Sequence, residues 1–70
     1  MELREAVLTV LRDEAAPLHW TVIQDLALRR GYIDPFTTTD VRRRLLAELA
    51  AAVREGDVRK QATGVYALPD

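Results

Sequence analysis

The stretch that decides the fold is TTTDVRRRLLAELAAAVREGDVRKQATGVYAL, residues 37–68. Its apolar residues begin at Val41 and recur at i+4, i+8, i+11 and i+12, which is the spacing of one buried face of an α-helix. This pattern predicts a helix, the third of the chain, that continues through about residue 54. Glu55-Gly56-Asp57 ends it, because glycine readily adopts the backbone conformation that terminates helices.

Three threonines precede this helix, and a threonine hydroxyl can accept a hydrogen bond from the free amides at a helix start. Thr37 or Thr39 can fill this capping position. Thr37 is followed three residues later by Asp40, which is the spacing of a capping box. We therefore predict a third helix that is led by threonine.

The residues after the third helix have the pattern of a β-hairpin. Val58-Arg59-Lys60 and Val65–Leu68 contain β-branched and aromatic residues, and the connection between them, residues 61–64, contains a glycine. Because side chains alternate between the two faces of a strand, Tyr66 and Leu68 share one face. We expect this face to cover the helices.

The chain upstream predicts a first helix and then an extended segment. Apolar residues from Leu3 to Leu11 recur at helical spacing, which predicts a helix over about residues 2–14. Pro17 prevents that helix from continuing, because proline lacks the amide donor. The bulky run Leu18-His19-Trp20 follows as a short extended segment.

A second helix is predicted after this segment. Thr21 and Gln24 have capping-box spacing and mark its start, and Gly31 marks its end. The segment Tyr32–Phe36 is then a loop, because its proline does not permit a continuous helix. We expect Ile33 or Phe36 to be buried beneath this loop as an apolar anchor.

The predicted order is helix, extended segment, helix, helix and hairpin. This is the order of a winged helix, in which three helices form the core and the hairpin forms the wing. The sequence therefore predicts a mainly α fold with a small β-hairpin: a winged helix-turn-helix with three helices and a two- to three-stranded wing sheet. Seventy residues provide for one core, and we assign residues 1–70 to a single winged-helix domain.

The composition argues against an enzyme. The chain has no cysteine, serine or asparagine and only one histidine, so the usual Ser/His and Cys/His nucleophile pairs cannot form. A metal site would depend mainly on carboxylates. We therefore expect a non-catalytic protein without cofactor or metal.

The sequence also indicates where the protein is located. The absence of cysteine fits a reducing compartment. Neither a signal peptide nor an apolar run of roughly 20 residues is present, so we expect a cytoplasmic protein without membrane contact.

Charge is distributed unevenly along the chain. The net charge of −1 argues against strong non-specific binding to nucleic acid, for which a basic domain is expected. Residues 1–36 contain six acidic and four basic side chains, whereas residues 37–64 contain four acidic and six basic ones. The third helix and the hairpin therefore carry the basic part of the chain.

From Ala6 to Leu68, the chain resembles the HARE-HTH domain, a winged-helix module. The resemblance rests on EAVLTVL in the first helix, PLHWTVI at residues 17–23, the Arg-Gly end of the second helix, the threonine-led third helix and GVYAL at residues 64–68. It implies a module like that at the N-terminal end of the bacterial RNA polymerase delta subunit, also fused to restriction-type nucleases and chromatin regulators. The implied role is contact with DNA or the transcription machinery, and the family has no catalytic residues.

The three consecutive arginines of the third helix do not form one patch. On a helical wheel, Arg43 lies opposite the apolar stripe with Arg54 and three alanines, and Arg44 lies on one shoulder. Arg42 falls close to the apolar side. We therefore expect Arg43 and Arg44 to face outward and the stem of Arg42 to pack along the core edge.

These positions predict a recognition helix with an accompanying wing. Side chains at the start of the helix would lie near base edges or the sugar-phosphate backbone, and the remaining cations would contact phosphates. The alanines would permit close approach to a groove. The candidate DNA-binding residues are Thr38, Thr39 and Arg43, near base edges or the sugar-phosphate backbone, and Arg44, Arg59 and Lys60, on phosphates.

Structural alternatives remain open for each of these groups. Asp40 can pair with Arg43 or Arg44, and Glu48 with Arg44, which would leave a solvated helix face. Both acids would also repel phosphates. The basic pair on the first hairpin strand can equally protect an exposed edge from aggregation.

The neighbouring rings of His19 and Trp20 also have two readings. They can form a stacking or ligand site, or His19 can be a packed or capping residue beside a core or rim tryptophan.

For the whole protein we expect a DNA-binding or transcription-associated module whose partner is double-stranded DNA. The alternative is a protein-interaction module that docks on a nucleic-acid-processing or transcription complex, such as RNA polymerase or a fused effector protein.

Overall fold

The computed structural model describes all residues, Met1–Asp70. Three helices and three short strands follow one another in the predicted order. The elements are α1 (Leu3–Glu14), β1 (Leu18–His19), α2 (Trp20–Arg29), α3 (Val41–Glu55), β2 (Arg59–Ala62) and β3 (Val65–Ala67). This is a winged-helix topology, as the sequence predicted. No helix is long and apolar enough to cross a membrane.

The helices pack around one apolar core, and the stripe of α3 faces it. Leu45, Leu49 and Ala52 are completely buried, while Val41 and Val53, at the ends of the stripe, are half-buried. They pack with α1 and α2, whose largest fully buried side chains include Leu11 and Ile23. The apolar spacing of α3 therefore identified its buried face correctly. Gly56 follows the helix at φ 84° and ends it as predicted.

The strands form a three-stranded antiparallel sheet in the order β1-β3-β2. Leu18 lies opposite Tyr66 on one side of β3, and Lys60 lies opposite Tyr66 on the other. The short extended segment before α2 is thus the third strand of the wing sheet. Tyr66 is buried in the core, as expected, and Ala67 beside it in the central strand is buried as well.

The predicted start of α2 is wrong by two residues, because His19 rather than Thr21 is the N-cap. The Nδ1 atom of His19 accepts a hydrogen bond from the Thr21 amide at 3.3 Å. The Trp20 amide donates to the carbonyl of Gly64 at 2.9 Å, so the chain passes directly from the sheet into the helix. This connection leaves no room for a capping box at Thr21.

The predicted threonine cap of α3 is also wrong. The residue before the helix is Asp40, in a left-handed conformation with φ 50° and without a side-chain capping hydrogen bond. Thr37 and Thr38 belong to the preceding loop, where their amides donate to the carbonyl of Asp34 at 3.2 and 2.9 Å. The turn at Asp34 therefore holds these threonines away from the helix start.

The loop between α2 and α3 has one buried anchor. Ile33 is 3% exposed and belongs to the core, and its amide donates to the carbonyl of Ala27 at 3.2 Å. Phe36, by contrast, is 95% exposed. The expectation that Ile33 or Phe36 would be buried is therefore met by Ile33 alone.

Candidate nucleic-acid interface

The face of α3 opposite the core is open to solvent. Arg43, Ala47, Ala50 and Arg54 are exposed along it, and we call these four residues the outer face. Arg44 is exposed beside them. The predicted helical-wheel arrangement is therefore present except at Ala51, which is half-buried. The small alanine side chains leave the helix backbone accessible between a basic start and a basic end.

One of the predicted ion pairs on this helix is formed. The Nη2 atom of Arg43 lies 3.1 Å from Oδ2 of Asp40, and the two side chains are 81% and 63% exposed. A pair this exposed stabilises a helix by about 0.2–0.5 kcal/mol, because water screens both charges. Arg43 can therefore leave Asp40 for another partner at little cost.

The predicted pair between Glu48 and Arg44 is absent, because Glu48 turns towards α1. Its Oε1 atom lies 3.5 Å from Nε of Arg4. Glu55 and Asp57 approach the same guanidinium at 3.2 and 2.9 Å. The hydrogen bond from Arg4 and the charge of Arg4 lower the pKa of the Glu55 carboxyl below its ordinary value.

This cluster around Arg4 engages most of the carboxylates of α3 and the residues that follow it. Three of the four acidic residues in residues 37–64 lie on the α1 side of the molecule, which leaves Asp40 beside the outer face. None of the ion pairs in the structure involves Arg42, Arg44, Arg54 or Lys60. The surface therefore has more free positive charge than the net charge of the chain indicates.

Arg42 has a role that the sequence did not identify. Its guanidinium carbon lies 5.4 Å from the centre of the Trp20 ring, which is the geometry of a cation–π contact. Trp20 is half-buried and Arg42 is exposed. The side chain lies along the core edge, as predicted, because Trp20 itself packs against the core, and its charged end stays at the surface. The two residues are 22 positions apart, so no local pattern could have paired them.

Trp20 also connects the start of α3 to the wing. The two-residue turn of the hairpin, Thr63-Gly64, packs against the start of α2. A methyl group added at Gly64 would lie 2.7 Å from Nε2 of His19 and 3.3 Å from Cδ1 of Trp20, so a larger residue would displace the His19 ring. Arg42 and the wing turn therefore meet at one tryptophan, and the two predicted contact elements lie at the same end of the molecule.

The two predicted wing residues do not share a face. Arg59 and Lys60 are consecutive on β2, so their side chains point to opposite sides of the sheet. Lys60 lies opposite Tyr66 and therefore on the side of the sheet that faces the helices. Arg59 lies opposite Ala67 and pairs with Asp70 at 3.5 Å. Lys60 forms no ion pair and is therefore the more available of the two for contact with a phosphate.

The two predicted threonine contacts lie just before α3. Thr38 is half-buried, and its amide is bonded to the carbonyl of Asp34. Thr39 is exposed. The structure therefore places the predicted residues in two groups: Thr38, Thr39, Arg43 and Arg44 at the start of α3, and Arg59 and Lys60 on the wing strand β2.

His19 caps α2 and packs against the wing turn, in agreement with the structural reading of this residue. Its ring also lies beside Trp20, with the ring centres 5.7 Å apart.

No cluster of three or more His, Asp or Glu side chains could hold a metal ion. The one pocket, of about 260 Å³, lies away from α3, between the end of α1 and the sheet. Its lining includes Leu11, Ala15, Pro17, Ala67 and Leu68.

The structure thus defines a winged-helix domain with a basic surface around the start of α3. Comparison with protein-family models, with curated proteins and with solved structures finds no match. The functional argument therefore depends on the arrangement of charge and shape in this chain.

Proposed function

We propose that the protein is a non-catalytic, transcription-associated winged-helix module of the cytoplasm that binds double-stranded DNA through α3 and the wing. The observation that carries this proposal is the set of cations on α3 and the wing that have no carboxylate partner. Arg4 pairs with Glu48, Glu55 and Asp57, and Arg42, Arg44 and Lys60 form no ion pair. A polyanion such as DNA complements that surface.

The shape of α3 supports the same proposal. The major groove of B-DNA admits an α-helix, and the exposed alanines of the outer face permit close approach to it. Thr39 and Arg43 lie where a recognition helix places its base-contacting residues, near its N-terminal end. Arg42, Arg44 and Lys60 would contact the phosphate backbone and fix the orientation of the helix. The resemblance to the HARE-HTH domain favours this role.

The number of free cations sets the expected strength of binding. Each phosphate that a protein neutralises contributes about −0.9 to the slope of log affinity against log salt. Contacts from Arg42, Arg44 and Lys60, which form no ion pair, therefore predict a slope of about −2.7. Such binding is moderate in affinity and strongest at low salt.

The proposal is tested by fluorescence anisotropy with a labelled duplex at several salt concentrations. We expect Arg44→Ala and Lys60→Ala each to weaken binding and to reduce the steepness of the salt dependence by about 0.9. Arg12→Ala is the matched control, because Arg12 is an exposed arginine on α1 that forms no ion pair. A wild-type protein that does not bind duplex DNA at low salt would refute the proposal.

A protein-interaction module is the second candidate function. It is favoured by the net charge of −1 and by the exposed alanines, which would suit the close packing of a partner helix as well as they suit a groove. The partner would belong to a nucleic-acid-processing or transcription complex. This function predicts that α3 responds to a protein partner and gives no response to DNA.

A further inference from the structure

Phe36 is the most exposed large hydrophobic side chain of the protein. It is 95% exposed, compared with 62% for Met1 and 41% for Val22, which are the other exposed large hydrophobic residues. A single exposed apolar residue is ordinary, but an almost completely exposed phenylalanine beside a candidate binding surface suggests a contact with a partner.

The turn that carries Phe36 is held by hydrogen bonds. The Oδ1 atom of Asp34 accepts from the Phe36 amide at 2.9 Å, and the Asp34 carbonyl accepts from the amides of Thr37 and Thr38. Pro35 fixes its own backbone φ angle within the same turn. The phenyl ring is therefore presented by an ordered backbone, which reduces the entropy that binding would cost.

The position of Phe36 connects it to the proposed DNA-binding surface. It lies five residues before Val41, the first residue of α3, on the loop that leads into that helix. The nearby acidic side chains are both engaged: Asp34 bonds to the Phe36 amide, and Asp40 pairs with Arg43. Arg44, just beyond, has no carboxylate partner. Phe36 therefore lies on the loop that leads directly into the helix proposed to contact DNA.

We propose that Phe36 is a base-contacting residue that enters the major groove beside α3 and packs against thymine methyl groups. This inference depends on the proposed DNA binding and adds a specificity element to it. The thymine methyl is the apolar group that the major groove exposes, and phenylalanine is among the side chains that contact it. A protein-binding hot spot would instead be surrounded by further contact residues that exclude water. Phe36 is followed by three threonines, and the other exposed large hydrophobic residues, Met1 and Val22, lie outside this loop, which favours the groove.

The test compares two versions of one short, A·T-rich duplex, with thymine and with deoxyuridine, which lacks the methyl group. For wild-type protein we expect tighter binding to the thymine duplex. Phe36→Ala should bind the thymine duplex about tenfold more weakly, equivalent to about 1.4 kcal/mol. It should also no longer distinguish the two duplexes. Its salt dependence should match that of the wild type, because phenylalanine neutralises no phosphate.

Val22→Ala is the matched control, since it truncates another exposed apolar side chain and should leave both affinities unchanged. Thermal unfolding of Phe36→Ala should be unchanged because the side chain is almost completely exposed. This inference would be overturned, and the proposed function left intact, if the wild type binds DNA with the expected salt slope and Phe36→Ala binds equally well. Wild type that binds neither duplex would overturn both.

Discussion

Replacement of Asp40 by asparagine should strengthen DNA binding. Asp40 is the acidic residue that remains beside the outer face of α3, and its partner Arg43 is 81% exposed. Asparagine retains the size of the side chain and tolerates the left-handed conformation at φ 50°. The substitution removes a charge that repels phosphate and frees Arg43 for the DNA.

The size of this effect follows from the number of phosphates engaged. If Arg43 gains one full phosphate contact, the salt slope becomes steeper by about 0.9, so the advantage of the variant grows about 3.5-fold as salt falls from 200 to 50 mM. The protein should lose little stability. The exposed ion pair contributes about 0.2–0.5 kcal/mol, and the favourable charge at the helix start about 0.3–1 kcal/mol. Asp40 makes no capping hydrogen bond that could be lost.

Fluorescence anisotropy over this salt range measures the effect directly. Asp25→Asn is the control, because it removes the same charge from an exposed i, i+4 pair with Arg29 on α2. Asp25→Asn should change the affinity for DNA only through the net charge of the protein, because it frees no arginine beside the outer face. The slope of log affinity against log salt should therefore change less for Asp25→Asn than for Asp40→Asn. Binding by Asp40→Asn that is unchanged or weaker than wild type would refute the assignment of Arg43 to the DNA contact.

Three further predictions concern the scaffold that positions this surface. Leu49→Ala should destabilise the fold by about 2–5 kcal/mol in chemical denaturation, since the side chain is completely buried; a loss below 1 kcal/mol would contradict its place in the core. Gly64→Ala should cost about 1–3 kcal/mol and lower the melting temperature, because a methyl group would meet His19 and φ is +75°. The contact of Arg4 with Glu55 lowers the pKa of that carboxyl below 4.5, so its stabilisation is present above pH 4.5 and is lost as pH falls through the lowered value. Thermal unfolding of Arg4→Ala should lack this part of the pH dependence, and an identical pH profile would rule out the contact.

Periodicity predicted the elements of the fold well, because their buried faces are local patterns. The spacing from Val41 onward identified the core face of α3, and the glycine-bearing hairpin identified the wing. The starts of α2 and α3 were predicted wrongly. In both cases a hydrogen bond to the backbone determines where the helix begins. The Trp20 amide bonds to the carbonyl of Gly64, which is distant in the chain, and the amides of Thr37 and Thr38 bond to the carbonyl of the nearby Asp34.

The candidate surface could be predicted only in part. Helical geometry predicted that Arg43 and Arg44 face outward and that Arg42 packs at the core edge, but it did not predict that Arg42 lies over the ring of Trp20 with its guanidinium at the surface. Likewise, the sequence offered Glu48 as a partner for Arg44, whereas Arg4 attracts it towards α1. Both contacts join residues far apart in the chain. Local spacing contains no information about them, and the three-dimensional packing of the helices determines them.

The most direct test of the central claim is an NMR titration of amide chemical shifts with duplex DNA at low salt. We predict that the shifts change at the start of α3, in the loop around Phe36 and at the wing turn Thr63-Gly64, and that the changes diminish as salt increases. Amides of α1 near Arg4 should remain unaffected. Unchanged shifts throughout the chain, or changes confined to α1, would contradict DNA binding by α3 and the wing.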